Sequence, residues 1–149
     1  MAVAVAWIYR DLWHQHGRAT GLGWDVIDEY GPDLDFLARD LAHGRLSACN
    51  PFDHGGYSVL ADAQVPRYYP LHWLFVGWGA AFGTGFWLIQ LEVLLHHAIG
   101  GALVHLYLRS RGLGKLPALI GGLALISSTP LMLHKASLIL WPLVWVPLV

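Results

Sequence analysis

The sequence predicts an all-α, polytopic membrane protein. Of its 149 residues, 56% are apolar and 13% are charged, and the mean hydropathy is +0.48, whereas soluble domains carry about 25% charged residues. Its second half contains long apolar segments, and eight tryptophans and six tyrosines suit a membrane–water boundary. The net charge of −1 includes no basic stripe, which disfavours nucleic acid as a partner. The single cysteine excludes an intrachain disulfide framework.

The first 82 residues are predicted to form a short membrane segment followed by a long loop. Residues 1–9 are apolar but reach only about 13 Å as a helix, against a hydrocarbon core of about 30 Å, so we interpret them as part of a first span or as an anchor. Residues 10–82 are predicted to be an extracytoplasmic loop with interfacial helices. Within it, Gly31-Pro32 predicts a helix start, Gly44 predicts its end, and Asp35 and Arg39 are spaced for an ion pair.

Residues 83–149 are predicted to be transmembrane helices of a multi-pass protein of the bacterial inner, or cytoplasmic, membrane. The expected spans are 83–108, 116–133 and an incomplete 136–149, so the chain is expected to be an N-terminal fragment of a longer protein. The basic turn from Arg109 to Lys115 is assigned to the cytoplasm, which places the preceding loop outside it. Ala118-x-x-x-Gly122 predicts a close helix contact.

The most informative stretch is the polar segment Asn50–Pro70, NPFDHGGYSVLADAQVPRYYP. It has no helical period and is rich in turn formers, because glycine supplies positive φ and proline fixes φ. The side chains of Asn50 and Asp53 are typical of Asx turns that brace a loop. A convoluted polar loop beside membrane spans suits chemistry on an amphiphilic substrate.

This segment resembles a motif of the bacterial YfhO-like membrane proteins. The family pattern has the form G-x-L-P-x-W-N-P, then G-G-x-P-x-x-A-D-x-Q, then Y-P-L. The chain matches it with Gly44 to Pro51, Gly55 to Gln64 and Tyr69 to Leu71. It departs from the pattern where Cys49 replaces the family's Trp, where Ser47 or Ala48 replaces the Pro before that Trp, and where Ser58 replaces the Pro after Gly-Gly-x. Downstream similarities are the Arg109–Gly114 turn, His134 and Trp145-Val-Pro-Leu148.

The resemblance implies a C-type glycosyltransferase with a GT-C-like transmembrane fold. Such enzymes transfer sugar from a polyprenyl-phosphate donor to a glycan or lipid acceptor on the extracytoplasmic face. They place a carboxylate in the first outer loop, either as a general base or as a ligand of Mg²⁺ or Mn²⁺. By position Asp25 or Asp28 matches that acid, and Glu29 is the third choice. Asp25, Asp28 and Asp62 are the candidate metal ligands if a metal is used.

The remaining candidates are polar or aromatic residues placed for substrate binding. The guanidinium of Arg67 suits a lipid phosphate, and His134 is expected at the outer end of a span, within reach of the same cavity. Tyrosines of the loop can stack on sugar or lie in the interfacial belt. The full set of substrate-binding candidates is Asn50, Asp53, Tyr57, Asp62, Gln64, Arg67, Tyr69 and His134.

Two other function classes stay open. Glu92, His96 and His97 are ionisable residues inside the 83–108 segment, where such groups are costly and commonly line a cavity or an ion pathway. A transporter or channel segment that uses Glu92 and His96 is therefore an alternative, and a buried hydrogen-bonded group is the simpler interpretation. The other alternative is a non-catalytic membrane assembly protein. For each loop acid, the simplest interpretation is a solvated surface carboxylate.

Overall fold

The protein is mostly helical. A computed structural model describes residues 1–10, 26–52, 55–61, 66–128 and 144–147, and these include five α-helices. In chain order the elements are α1 (Ala2–Ile8), a π-helical turn (Val26–Tyr30), α2 (Gly31–Ala42), β1 (Cys49–Asn50), β2 (Tyr57–Ser58), a 3₁₀ turn (Pro66–Tyr68), α3 (His72–Phe82), α4 (Phe86–Ser110) and α5 (Lys115–Ile126).

Helix α2 confirms the helix predicted after the Tyr30-Gly31 step. Pro32 occupies its first turn, where a missing N–H costs nothing. Nη2 of Arg39 lies 2.6 Å from Oδ2 of Asp35, so the predicted i,i+4 ion pair forms. After the helix ends, Gly44 has a φ of +69°. That left-handed conformation favours glycine and stops the helix at the predicted place.

Helices α2, α3 and α4 share one apolar core. Helices α2 and α3 approach closely at Gly79, where a Cβ would lie only 3.1 Å from the Cβ of Ala38. Gly83, with a φ of +92°, turns the chain from α3 into α4. Oγ1 of Thr84 in that turn donates to Oδ1 of Asp35 at 2.5 Å, which ties the turn to α2. The buried core residues of these helices include Leu34, Leu37, Phe75, Val76, Leu88 and Val93.

Helix α4 corresponds to the predicted span 83–108. It has 25 residues and is, among the described residues, the one helix long and apolar enough to cross a membrane by length and composition. At 1.5 Å per residue its length is about 37 Å, more than the hydrocarbon thickness. The chain is thus mostly helical with one helix that can span a membrane, and the multi-pass arrangement stays a prediction.

Helix α5 is shorter than the span predicted for residues 116–133. It ends at Ile126 after 12 residues, about 18 Å, and residues 129–143 lie outside the described part of the chain. The predicted close contact at Ala118-x-x-x-Gly122 is confirmed, because a Cβ on Gly122 would lie 2.5 Å from the carbonyl oxygen of Gly101 in α4. Glycine is needed at this helix crossing.

Helix α1 is fixed to both α4 and α5 by Tyr9. The hydroxyl of Tyr9 donates to the carbonyl oxygen of Ile126 at 2.7 Å. Its ring centroid lies 4.6 Å from that of His97 in α4. The short N-terminal segment therefore belongs to the same packed unit as the long helix.

The loop between α2 and α3 contains a small antiparallel β-pair, which the all-α prediction did not include. Cys49 faces Ser58 and Asn50 faces Tyr57 in its register. Two-residue strands show no alternation of polar and apolar residues, so periodicity could not reveal them. The pairing brings the two ends of segment 49–58 together. Gly55 and Gly56 lie in the connection between the two strands, and both have positive φ.

Candidate functional site

The loop that follows α2 is anchored by Asp40. The backbone N–H of Ser47 donates to Oδ2 of Asp40 at 2.8 Å, and Nε of Arg45 lies 3.4 Å from Oδ1. The hydrogen bonds from Ser47, with help from Arg45, hold the pKa of the Asp40 carboxyl below its ordinary value despite burial. Asp40 is therefore a buried, ionised anchor that fixes the start of the loop to α2.

Arg67 lies at the other end of this loop and is only 6% exposed. Its Nη2 donates to the carbonyl oxygen of Ser47 at 2.6 Å, and its own carbonyl oxygen accepts from Nε1 of Trp73 at 2.7 Å. Among the described residues, its Nη1 is buried without a hydrogen-bond partner, and no carboxylate forms an ion pair with it. A buried guanidinium normally has an anionic partner, and none of the described residues supplies one to Arg67.

The other loop candidates in the described residues have mixed roles. Oδ1 of Asn50 accepts from the backbone N–H of Phe52 at 3.0 Å, which confirms the predicted Asx turn. Asn50 is buried and its oxygen shapes the turn. Tyr57 is half-buried in β2. Tyr69 lies at the junction with α3 and enters a cluster of polar side chains in the core.

The centre of that cluster is a carboxylate–imidazole pair between α3 and α4. Nδ1 of His72 lies 3.0 Å from Oε1 and 3.1 Å from Oε2 of Glu92. Glu92 is 0% exposed and His72 is 3% exposed. A carboxylate oxygen accepts, so Nδ1 carries the proton of this hydrogen bond. The sequence placed Glu92 and His96 on one face, but the side-chain partner of Glu92 is His72, 20 residues earlier.

His96 forms the second part of the cluster and contacts Tyr69. Nδ1 of His96 donates to the backbone oxygen of Glu92 at 2.7 Å, because a carbonyl only accepts. Nε2 must then accept from the hydroxyl of Tyr69, which lies 2.8 Å away. That hydroxyl accepts in turn from Nε1 of Trp145, also at 2.8 Å. Burial raises the pKa of Tyr69, so the phenol keeps the proton that this direction requires.

The acidic segment before α2 borders an open, mostly apolar cleft of about 240 Å³. Asp28 and Glu29 are both exposed, as expected for solvated acids. The polar side chains of the cleft are those of Asp35 and Thr84. Thr84 donates to Asp35, and Asp35 also forms the ion pair with Arg39. The cleft is smaller than the roughly 300–1,000 Å³ of pockets that enclose drug-sized molecules.

Several predicted site residues lie outside the described part of the chain. The predicted site residues that the structure describes are Asp28, Asn50, Tyr57, Arg67 and Tyr69. Of these, Tyr69 is connected by hydrogen bonds to His96, and through it to Glu92 and His72. The described residues contain no group of three or more His, Cys, Asp or Glu side chains arranged to hold a metal ion. The candidates outside the described ranges are Asp25, Asp53, Asp62, Gln64 and His134.

Sequence reasoning missed two members of the polar cluster. His72 is the single ionisable residue of α3, HWLFVGWGAAF, and an isolated ionisable residue in an apolar helix indicates a polar partner. That signal was available, although it does not name the partner. Trp145 bonds to Tyr69 across 76 residues, and no local pattern indicates such a contact.

Comparison of the chain with protein-family models, with curated proteins and with solved structures gave no match. The resemblance to the YfhO-like family therefore stays a prediction from the motif residues.

Proposed function

We propose that this chain acts in an integral-membrane glycosyltransferase of the C type. It would take sugar from a polyprenyl-phosphate-linked donor and transfer it to a cell-envelope glycan or lipid on the extracytoplasmic face of the bacterial inner membrane. The observation that carries this proposal is the buried guanidinium of Arg67, whose Nη1 has no partner among the described residues.

The electrostatics of Arg67 favour a phosphate ligand. Burying a guanidinium without an anion costs several kcal/mol, on the order of the desolvation of one ion. A carbonyl oxygen, such as that of Ser47, supplies only a partial negative charge. A phosphate supplies full charge and oxygens that match the planar fork of the guanidinium. Arg67 lies in the 3₁₀ turn directly before α3, and α3 in turn packs against α4, the described helix long and apolar enough to span a membrane.

The remaining steps follow from the motif resemblance. Asp25 or Asp28 serves as the general base that removes a proton from the acceptor hydroxyl, with Mg²⁺ or Mn²⁺ as an option at Asp25, Asp28 and Asp62. Asp62, Gln64 and His134 contact the sugar or the donor phosphate. In this proposal Asn50 and Asp53 shape the loop, while Tyr57 and Tyr69 provide aromatic surface beside it.

Binding of farnesyl phosphate to the purified protein in detergent tests the role of Arg67. We expect Arg67→Gln to weaken binding at least tenfold, which is about 1.4 kcal/mol, and Arg67→Lys to weaken it less because a positive charge is kept. Intrinsic tryptophan fluorescence is a suitable signal, because Trp73 bonds to the carbonyl of Arg67.

The matched control is Arg109→Gln, since Arg109 is an exposed arginine that donates to the carbonyl of Leu113. This variant should bind farnesyl phosphate like the wild type, and farnesol, which lacks the phosphate, should bind poorly to every variant. Equal affinity of Arg67→Gln and the wild type for farnesyl phosphate would remove the phosphate site and the support for the enzyme.

A further inference from the structure

The pair formed by His72 and Glu92 has no part in the proposed sugar transfer. Both side chains are deeply buried, at 3% exposure for His72 and 0% for Glu92. The two side chains come from different helices, α3 and α4, and the contact joins Nδ1 of His72 to both carboxylate oxygens at 3.0 and 3.1 Å. A carboxylate next to an imidazole in the core is a pair of groups that can hold a proton.

The described titratable groups around the pair are histidines and tyrosines. On α4 the neighbours are His96 and His97, whose Nδ1 atoms donate to the carbonyl oxygens of Glu92 and Val93. The loop before α3 contributes Tyr69, and α1 contributes Tyr9 against His97. Among the residues that the structure describes, His72 is the ionic partner of Glu92.

The charge of the pair depends on its proton count. With one proton, on Nδ1 of His72, the pair has a net charge of −1 in an apolar core, which is unfavourable. Uptake of a second proton from water gives a neutral pair, either an imidazolium beside a carboxylate or an imidazole beside a carboxylic acid. No other bond is made or broken. Because the two groups lie at hydrogen-bond distance, this proton belongs to the pair and not to either residue.

We propose that His72 and Glu92 form a proton-binding site between α3 and α4, which takes up and releases one proton as a unit. Ionisable groups inside membrane helices commonly serve proton-coupled processes, and α4 is the helix that can cross a membrane. The contact also joins the two helices, so a change in its charge acts on their packing. His96 is a positioning residue here, because its ring bonds to the backbone of Glu92 and to Tyr69.

Infrared difference spectroscopy of the purified protein over a pH series tests this site. With ring-labelled histidine, we expect a carboxyl band and an imidazole band that change together with one shared midpoint. Glu92→Gln should remove the carboxyl band, and His72→Gln should move the midpoint of the Glu92 band by at least about one pH unit. Glu29→Gln, which alters an exposed acid, is the matched control and should leave both bands unchanged.

Two outcomes would overturn the site. One is a Glu92 band that stays constant over the whole pH series, and the other is a midpoint that His72→Gln does not move. If Glu92→Gln does not fold, the His72→Gln variant decides alone. Arg67→Gln should leave the shared titration intact, so that failure of the phosphate site and failure of the proton site are separate results.

Discussion

Arg67 and Glu92 are both buried ionisable residues, but the protein compensates their charges differently. Glu92 lies against the imidazole of His72 at 3.0 Å, in the core between two helices. Arg67 lies in the loop before α3, and its guanidinium contacts a neutral carbonyl while Nη1 has no partner among the described residues. A charge with an internal partner serves the protein's own packing or proton chemistry. A buried charge without an anionic partner among the described residues is the basis of the phosphate site proposed above.

Measuring the rate of sugar transfer in single variants tests whether the loop acids or Glu92 take part in catalysis. The largest effect is expected for the loop acid that acts as the general base. Replacing the general base by its amide should reduce the transfer rate by about 10²–10⁴-fold. We expect this at Asp25 or Asp28, with a smaller loss at Asp62, measured with single Asn variants in membranes that contain the whole protein. Transfer that survives Asp25→Asn, Asp28→Asn and Asp62→Asn would exclude the proposed base. Loss at Glu92→Gln alone would favour a role in transport.

The free energy of unfolding tests whether His72 and Glu92 stabilise the protein as a pair. Glu92→Leu leaves His72 without its carboxylate and should destabilise the protein by about 3–5 kcal/mol, as for other broken buried pairs. The double variant His72→Leu/Glu92→Leu should recover most of that loss, because it removes both polar groups together. Chemical unfolding in a mild detergent measures both effects. Additive losses in the double variant would show that the two residues do not act as a pair.

The smallest effect concerns the anchor of the loop. Because the pKa of Asp40 is lowered in the folded protein, its contribution to stability is present above the unfolded pKa of about 3.9 and is lost as the pH falls through the folded value. Asp40→Asn should remove this acid-dependent part of the stability curve and weaken the contact with Ser47. The pH dependence of the unfolding midpoint measures it, and an unchanged curve for Asp40→Asn would contradict the anchor role.

Local sequence patterns predicted the local features of this fold. The bounds of α2, the Asp35–Arg39 pair, the Asx turn at Asn50 and the close contact at Gly122 all follow from spacing and residue type. Each of these depends on residues a few positions apart or on a single small side chain. Helix α5 ends at Ile126, whereas the apolar composition that predicted the span 116–133 continues into residues outside the described part of the chain.

Contacts between distant segments were not predicted. His72 and Glu92 are 20 residues apart, and Tyr69 and Trp145 are 76 apart. Such pairs depend on how helices pack, and one sequence does not encode that in any local period. The sequence did identify Glu92 and His96 as unusual, because charged groups in an apolar helix are costly. It could not assign their partners, and so it grouped Glu92 with His96 on spacing alone.

The most direct test of the phosphate site is the thermal unfolding of Arg67→Met with and without farnesyl phosphate. Without ligand, we expect this variant to be as stable as the wild type or more stable by about 1 kcal/mol, because it removes a buried charge that has no anionic partner among the described residues and keeps most of the side-chain volume. With ligand at about 100 times its dissociation constant, the wild type should gain about 2.7 kcal/mol, and the variant should gain nothing. Equal stabilisation of both proteins by farnesyl phosphate, or a large loss of stability in the ligand-free variant, would contradict the proposal that the guanidinium of Arg67 binds an external phosphate.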